Sequence, residues 1–160
     1  MNQFRGNEKR WLIADLRGKR QVALKAKEGN ASQFFNGKDL SGWKGNSELW
    51  SVVNGQIVGK TSGLKDNEFL ISDLAAGDFK LSVEVNLVDN EGNSGIQFRS
   101  VAREGGSVDG YQADVGKGWW GTLYAEPSRA LLWDHSGENH VNTGAGNTYV
   151  ISAERRGGNG

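Results

Sequence analysis

LSVEVNLVDNEGNSGIQFR, residues 81–99, is the stretch that decides the fold. Apolar residues occupy every second position from 81 to 87, and again at Ile96 and Phe98. Period-2 alternation indicates strands that bury one face in a core. The intervening segment 89–95, DNEGNSG, is rich in residues that favour turns. We predict that the two strands belong to one sheet and are joined by this loop.

The polar faces of these strands predict a ligand site. Glu84 lies on the polar side of the first strand, and Gln97 and Arg99 lie on the polar side of the second. Farther along, YQADV at 111–115 alternates in the same way and puts Gln112 and Asp114 on one face. If this third strand neighbours the second, all five polar side chains share one surface.

The composition predicts a single all-β domain. The chain has 160 residues, 24 of them glycine and one of them proline. Ten or so short, turn-bounded strands are typical of a β-sandwich or jelly roll. The segment WSVV-NG-QIVG at 50–59 is the clearest hairpin, because Asn-Gly favours a type I′ turn. The absence of cysteine excludes disulfides, thiolate metal sites and cysteine nucleophiles.

Residues 1–32 are interpreted separately from the body at 33–160. Residues 1–29 hold eight Lys or Arg and three Asp or Glu, whereas the remainder holds eleven and sixteen. We interpret 1–32 as a basic extension or as strands of uncertain placement. Residues 11–26 favour two short strands, and a helix remains the alternative for their second half. We predict no nucleic-acid partner, because the acidic body would repel phosphates. No apolar run approaches a membrane span, and the first residues lack the apolar core of a signal peptide.

Two adjacent tryptophans favour a saccharide ligand. Trp119 and Trp120 lie in the glycine-rich segment 116–121, directly after the polar strand 111–115. A pyranose offers an apolar face for ring stacking and hydroxyl groups for hydrogen bonds. The alternative is that one tryptophan closes the end of the sandwich and that the charged residues only solvate an outer face.

Two weaker clusters leave a divalent metal open. DHSGENH at 134–140 carries two histidines and two acids, but their spacing matches no specific ligand pattern. Oxygen-bearing residues at 89–93 offer calcium ligands, although turn chemistry explains them equally well. We favour a solvated loop and a turn for these segments, and we predict no cofactor. No nucleophile triad, phosphate loop or dinucleotide fingerprint is present.

Several motifs together resemble one family. They are FNGKDLSGW at 35–43, WSV at 50–52, GDF at 77–79, GNSGIQFR at 92–99 and GYQAD at 110–114. In this order, over roughly 33–154, they resemble the 3-keto-disaccharide hydrolase domain family. The resemblance implies a concanavalin-like jelly roll of two antiparallel sheets, related to laminarinase-type glycoside hydrolases. It also implies cleavage of glycosides oxidised at C3, in a bacterial periplasmic or extracellular setting.

The resemblance assigns roles to the polar residues. The family's polar sheet positions correspond to Glu84, Asn93, Arg99, Gln112 and Asp114. A ketone at C3 acidifies the C2 proton, so a base there permits elimination of the C1 oxygen. We expect Glu84 or Asp114 as the base and Arg99, or a metal in its place, at the enolate. The predicted substrate-binding residues are Asn93, Gln97, Tyr111, Gln112, Trp119 and Trp120.

Two departures from the family pattern shape these expectations. YQADV supplies a single acid, so retaining hydrolysis by two carboxylates is not supported. Family members continue past the strand at 149–153, so we expect either that residues 1–30 fill that place or that the chain is a fragment. An incomplete sandwich would associate through an unpaired sheet edge. The alternatives to an enzyme are a non-catalytic carbohydrate-binding domain of the same fold and an interaction module.

Overall fold

The computed structural model describes residues 11–17, 21–26, 34–103, 107–126, 130–134 and 140–154. They contain twelve β-strands and a short 3-10 turn, Val88–Asn90. The strands are Trp11–Arg17 (β1), Gln21–Ala26 (β2), Trp43–Lys44 (β3), Trp50–Val53 (β4), Gln56–Lys60 (β5), Glu68–Ala75 (β6), Phe79–Leu87 (β7), Asn93–Ala102 (β8), Val108–Gly116 (β9), Leu123–Glu126 (β10), Ala130–Trp133 (β11) and Asn147–Ala153 (β12).

The strands form two antiparallel sheets. The larger sheet has seven strands in the order β11-β10-β9-β8-β1-β6-β3, and the smaller has five in the order β12-β7-β2-β5-β4. The predicted all-β jelly-roll sandwich is therefore confirmed. β1 lies between β8 and β6 in the larger sheet, and β2 lies between β7 and β5 in the smaller sheet. Each of the first two strands therefore takes an interior position in its own sheet. No helix among the described residues is long and apolar enough to span a membrane.

The predicted Asn-Gly hairpin joins β4 and β5. Val53 pairs with Gln56 across the turn, and Asn54 and Gly55 have φ values of 51° and 74°. Two successive positive φ values define the type I′ turn that suits a two-residue hairpin. Trp50 at the start of this hairpin packs over Gly59, its cross-strand partner, where a Cβ would lie 2.5 Å from the indole. The hairpin thus inserts a tryptophan into the core.

β7 and β8 lie in different sheets, so the prediction that they share one sheet is wrong. The 3-10 turn between them carries the chain from the smaller sheet to the larger. Their apolar rows face each other instead of lying side by side, and the rings of Phe79 and Phe98 are 6.1 Å apart, edge to face. Alternation reports which face of a strand is buried. It does not report which sheet the strand joins, and that is why the prediction failed.

The two sheets enclose one hydrophobic core. Its most deeply buried members come from both layers and include Trp50, Val85 and Leu87 of the smaller sheet and Leu70 and Val115 of the larger. Within a strand such as β7, the residues between these core positions point to the outer face of the sheet. The core therefore determines which polar residues share a surface.

Candidate functional site

The outer face of the larger sheet carries a row of polar side chains from β8 and β9. Ile96 and Ala113 are cross-strand partners that both belong to the core. Gln97 and Gln112 are the next pair along and therefore project from the opposite side. Asp114 pairs with Gly95 on that same outer face. The structure thus brings together Gln97, Gln112 and Asp114, as predicted.

These side chains form one continuous chain of hydrogen bonds, here called the polar row: Ser100, Gln97, Gln112, Asp114 and Thr122. Ser100 Oγ donates to Gln97 Oε1 at 3.1 Å, and Gln97 Nε2 donates to Gln112 Oε1 at 2.8 Å. Gln112 Nε2 donates to Asp114 Oδ1 at 2.6 Å. Thr122 Oγ1 donates to Asp114 Oδ2 at 2.9 Å. Both oxygens of the carboxylate are therefore fixed in position.

The polar row is buried although it lies on an outer sheet face. The exposed fractions of Gln97, Gln112 and Asp114 are 0%, 1% and 4%. Gly95 makes this packing feasible, because a Cβ there would lie 2.6 Å from Gln112 Cγ and Cδ. Buried polar groups are costly unless they are hydrogen-bonded, so the members of the row hold one another in a single arrangement.

Asn93, the first residue of β8, extends this face toward the beginning of that strand. It pairs with Gly116, two residues beyond the pairing of Gly95 with Asp114, so it is a diagonal neighbour of Asp114. Its Oδ1 is buried and has no hydrogen-bond partner within the described part of the chain. A buried carbonyl oxygen without a donor costs free energy. A donor supplied by a ligand would remove that cost.

Sequence reasoning missed three members of this surface, Ser100, Thr122 and Tyr124. Tyr124 of β10 pairs with Gln112 and so projects from the same face. The alternation in TLYAE at 122–126 contained that signal, because Ala125 is buried between the two outward positions Tyr124 and Glu126. The position of Ser100 depends on a backbone irregularity that alternation does not reveal.

Trp119 borders this surface in the turn between β9 and β10. It is 44% exposed, and its carbonyl oxygen accepts a hydrogen bond from the backbone N–H of Thr122. Because Thr122 also contacts Asp114, the backbone of the turn that carries this exposed indole is tied to the end of the polar row.

Glu84 does not share this surface, and the prediction that it does is wrong. It lies on β7 between Val83 and Val85, both of which are buried in the core. Its side chain therefore projects from the outer face of the smaller sheet. The whole sandwich separates it from Asp114. The error follows directly from assigning β7 and β8 to one sheet.

Arg99 is also separated from the row, because β8 contains a bulge. Phe98 pairs with Tyr111 and Val101 with Asp109, so two residues, Arg99 and Ser100, face the single residue 110. Arg99 has a φ of 50°, and its Nη2 lies 3.4 Å from Asp78 Oδ1, near the start of β7. Such a bulge re-aims side chains. It brings Ser100 beside Gln97, in the place predicted for Arg99.

The remaining two predicted residues lie on the core side. Tyr111 packs against the core, with its ring 5.9 Å from that of Phe98. Trp120 is 3% exposed, and its Nε1 donates to Asn90 Oδ1 at 2.7 Å. The structure does not bring either residue to the polar face. Trp120 instead fits the alternative interpretation, in which one of the two tryptophans closes the end of the sandwich.

Tyr149 of β12 secures the turn that carries Trp119. Its hydroxyl donates to the carbonyl oxygen of Asp114 at 2.8 Å and accepts from Gly121 N–H at 3.1 Å. Burial raises the pKa of Tyr149 to about 12. The phenol therefore stays protonated and keeps its donor function at neutral pH. This contact also places β12 opposite β9.

The two segments that left a divalent metal open can be compared with the described residues. No three His, Cys, Asp or Glu side chains come together within the described ranges. In the 89–93 segment, the amide oxygen of Asn90 is already hydrogen-bonded to Trp120. In the 134–140 segment, residues 135–139 lie outside the described residues.

Comparison with models of protein families identifies the family to which the chain belongs. The model of a family described as a 3-keto-alpha-glucoside-1,2-lyase-like domain matches residues 30–156, more than three quarters of the chain. The chain belongs to this family. The resemblance inferred from the motifs is thereby confirmed, and membership of the lyase-like family supports a carbohydrate-related function. No curated protein and no solved structure matches the chain.

Proposed function

We propose that the outer face of the larger sheet binds a 3-keto-glycoside and that the protein cleaves it by elimination, with Asp114 as the base. The observation that carries the proposal is the Asp114 carboxylate, held by Gln112 and Thr122, where Thr122 also bonds to the backbone of the turn that carries the exposed Trp119. Membership of the lyase-like family supports the choice of substrate.

The reaction needs few groups. Asp114 takes the proton from C2, and the electron pair of that C–H bond forms an enolate with the C3 ketone. The enolate collapses to a C1–C2 double bond and expels the glycosidic oxygen from C1. The protonated carboxyl group then returns its proton to the leaving oxygen. The sequence consumes no oxidant and no water, and later addition of water to the double bond would give the hydrolysed sugar.

The amides of the polar row are suited to the developing enolate. Gln97 and Gln112 each use one of two N–H groups in the hydrogen bonds described above. Both amides are buried, so we propose that the second N–H of each donates to the C3 oxygen only when a ligand enters the row, the role that was expected of Arg99. Asn93 Oδ1, which lacks a donor among the described residues, would accept from a sugar hydroxyl. Trp119 would stack on the apolar face of the ring.

Saccharide binding without turnover is the second candidate. The observation that favours it is the state of Asp114, which is 4% exposed and already accepts a hydrogen bond on each oxygen. A carboxylate held in this way orients neighbouring amides whether or not it removes a proton. Such a protein would bind keto and non-keto sugars through the same outer face of the larger sheet.

The test compares cleavage and binding of a 3-keto-disaccharide. We expect the wild type to release the leaving sugar and Asp114→Asn to bind the disaccharide with cleavage reduced at least 100-fold, the lower range for general base catalysis. Asp109→Asn is the matched control, since Asp109 lies on the same strand but pairs with Arg103. Binding without cleavage by the wild type would establish the second candidate. Absence of binding would overturn both.

A further inference from the structure

Thr122 ends the polar row with two hydrogen-bond acceptors within reach of its one hydroxyl group. Its Oγ1 lies 2.9 Å from Asp114 Oδ2 and 3.0 Å from the carbonyl oxygen of Trp119. A hydroxyl group carries a single hydrogen, so it donates to one of these acceptors at a time. Thr122 is 1% exposed, so the protein and not bulk water supplies both positions for that hydrogen. What the neighbouring groups can accept therefore decides between them.

The two oxygens of Asp114 face different kinds of partner. Oδ1 accepts from Gln112 Nε2 at 2.6 Å, and an amide nitrogen only donates. A proton on Oδ1 would weaken that bond, and Nε2 could not accept a bond in return. Oδ2 faces the Thr122 hydroxyl, which both donates and accepts. A proton on Oδ2 can therefore be donated to Oγ1 of Thr122, provided that the hydroxyl hydrogen turns away. This reverses an existing hydrogen bond, so it needs no vacant space beside Asp114.

The carbonyl oxygen of Trp119 is the acceptor to which that hydrogen turns. It already accepts from Thr122 N–H at 3.0 Å, and a carbonyl oxygen has a second lone pair for the hydroxyl. The change is a rotation about the Cβ–Oγ1 bond of Thr122, and no heavy atom has to move. In the ionised state Thr122 donates to Asp114, and in the protonated state Asp114 donates to Thr122. Both states keep these groups hydrogen-bonded, as burial requires.

Protonation at Oδ1 would disturb much more of the row. The Gln112 amide would have to turn over so that its oxygen faced Asp114, which would bring its nitrogen opposite Gln97 Nε2. Gln97 would then turn over as well, and Ser100 would move its hydrogen to the carbonyl oxygen of Phe98, 2.9 Å away. Two amide groups and a hydroxyl would rearrange, whereas protonation at Oδ2 moves one hydroxyl hydrogen. The geometry therefore favours Oδ2.

We propose that the Thr122 hydroxyl follows the proton of Asp114, donating to Oδ2 while the carboxylate is ionised and to the Trp119 carbonyl once Oδ2 is protonated. Its use in catalysis rests on the proposed function, in which Asp114 removes the C2 proton. Oδ2 binds that proton while the electron pair of the C–H bond passes to the enolate. Thr122 accepts a hydrogen bond from the protonated Oδ2 until the leaving oxygen takes the proton, and its hydroxyl then turns back. Thr122 is thus a positioning residue that acts on the substrate through Asp114.

This exchange of hydrogen bonds can be observed by NMR without any sugar. Asp114→Asn places an amide N–H where the protonated Oδ2 would lie, while the amide oxygen continues to accept from Gln112. The Thr122 hydroxyl should then donate to the Trp119 carbonyl. We expect the chemical shift of the Trp119 carbonyl carbon to move downfield, because that group gains a second donor.

Two controls identify the source of that shift. The carbonyl carbon of Phe98 should keep its chemical shift, because Ser100 changes its acceptor only if the whole row turns over. In a Thr122→Val background, Asp114→Asn should leave the Trp119 chemical shift unchanged, since the donor hydroxyl is gone. A shift at Phe98 in place of Trp119, no shift at either carbon, or a Trp119 shift that persists with Thr122→Val would each overturn the proposal.

Cleavage of a 3-keto-disaccharide tests the use of this exchange in catalysis. Thr122→Val keeps the shape of the side chain and the backbone hydrogen bond to Trp119, but it removes the hydroxyl. We expect kcat to fall by roughly tenfold or more with KM within about twofold, because Oδ2 loses the group that orients it. Thr122→Ser restores the hydroxyl and should return kcat to within about threefold of wild type.

The two kinds of measurement separate the possible failures. Wild-type kcat in Thr122→Val, or no recovery of kcat in Thr122→Ser, would overturn the catalytic role of Thr122. The carbonyl shifts are measured without substrate, so they decide the exchange of hydrogen bonds even if the wild type cleaves no 3-keto sugar. Failure of the proposed function is therefore distinguishable from failure of the role assigned to Thr122.

Discussion

Gly95→Ala tests whether the polar row depends on the space above this glycine. A Cβ at residue 95 would lie 2.6 Å from Gln112 Cγ and Cδ and 2.9 Å from Nε2, all closer than side chains tolerate. Gln112 must therefore move, and its hydrogen bonds to Gln97 and Asp114 are lost. Each such bond contributes about 1 kcal/mol net, and a buried group left unpaired costs about 1–3 kcal/mol. We expect the free energy of unfolding to fall by about 2–4 kcal/mol.

Urea denaturation measures that change, with Gly144→Ala as the control. A Cβ at Gly144 would meet only Asn142 Oδ1 at 3.8 Å, an ordinary contact, so this variant should lie within about 0.5 kcal/mol of wild type. The decisive comparison repeats Gly95→Ala in a Gln112→Ala background, where the obstructing side chain is gone. The cost of Gly95→Ala should then drop by at least half. An unchanged cost in both backgrounds would refute the reasoning.

Four further changes test saccharide binding and stability. Trp119→Ala should weaken saccharide binding roughly tenfold, as measured by titration calorimetry. Because Trp119 is 44% exposed, the thermal midpoint should stay nearly constant. A loss of stability that matched the loss of affinity would count against a direct contact between Trp119 and the sugar. Trp120→Ala should instead destabilise the fold by about 3–5 kcal/mol in urea, because it removes a 3% exposed core side chain, and a stable variant with lost binding would contradict this. Arg99→Ala should leave saccharide affinity within about twofold, since its guanidinium lies beside Asp78 and not in the row; a large loss would return Arg99 to the site. The pKa of Tyr149 is raised to about 12, so its contribution to stability is complete below about pH 10 and is lost as pH rises toward about 12. In thermal melts, Tyr149→Phe should not show this loss of stability at high pH. If the wild type and the variant lost stability in parallel over this range, the contribution of Tyr149 would be excluded.

The fold was largely predictable because its main signals are local. Alternation located most strands, and Asn54-Gly55 marked a hairpin turn whose positive φ values the structure contains. That Gln97 and Gln112 project from one face followed from the same alternation and from the expectation that their strands are neighbours. These features depend on neighbouring residues and on one buried face, which a sequence pattern records directly.

The site was only partly predictable because two of its determinants are not local. The passage of the chain from the smaller to the larger sheet after β7 placed Glu84 on the far side of the molecule. One extra residue in β8 exchanged Arg99 for Ser100 beside Gln97. A turn rich in Asn, Asp and Gly suits both a hairpin and a crossing between sheets. A non-glycine residue at the positive-φ bulge position leaves no characteristic pattern.

The bulge at Arg99 also bears on the charge of the ligand. In a regular strand, Arg99 would lie beside Gln97 and bring a cation to the face. With the bulge, Ser100 takes that place, and the polar row contains one carboxylate, two amides, two hydroxyls and no cation. The carboxylate of this row repels phosphates, sulfates and uronic acids. The row therefore favours an uncharged ligand with both donors and acceptors, which is the chemistry of a neutral keto sugar. If a neutral 3-keto-disaccharide and its 6-phosphate bound equally well, the carboxylate would not be part of the surface that meets the ligand.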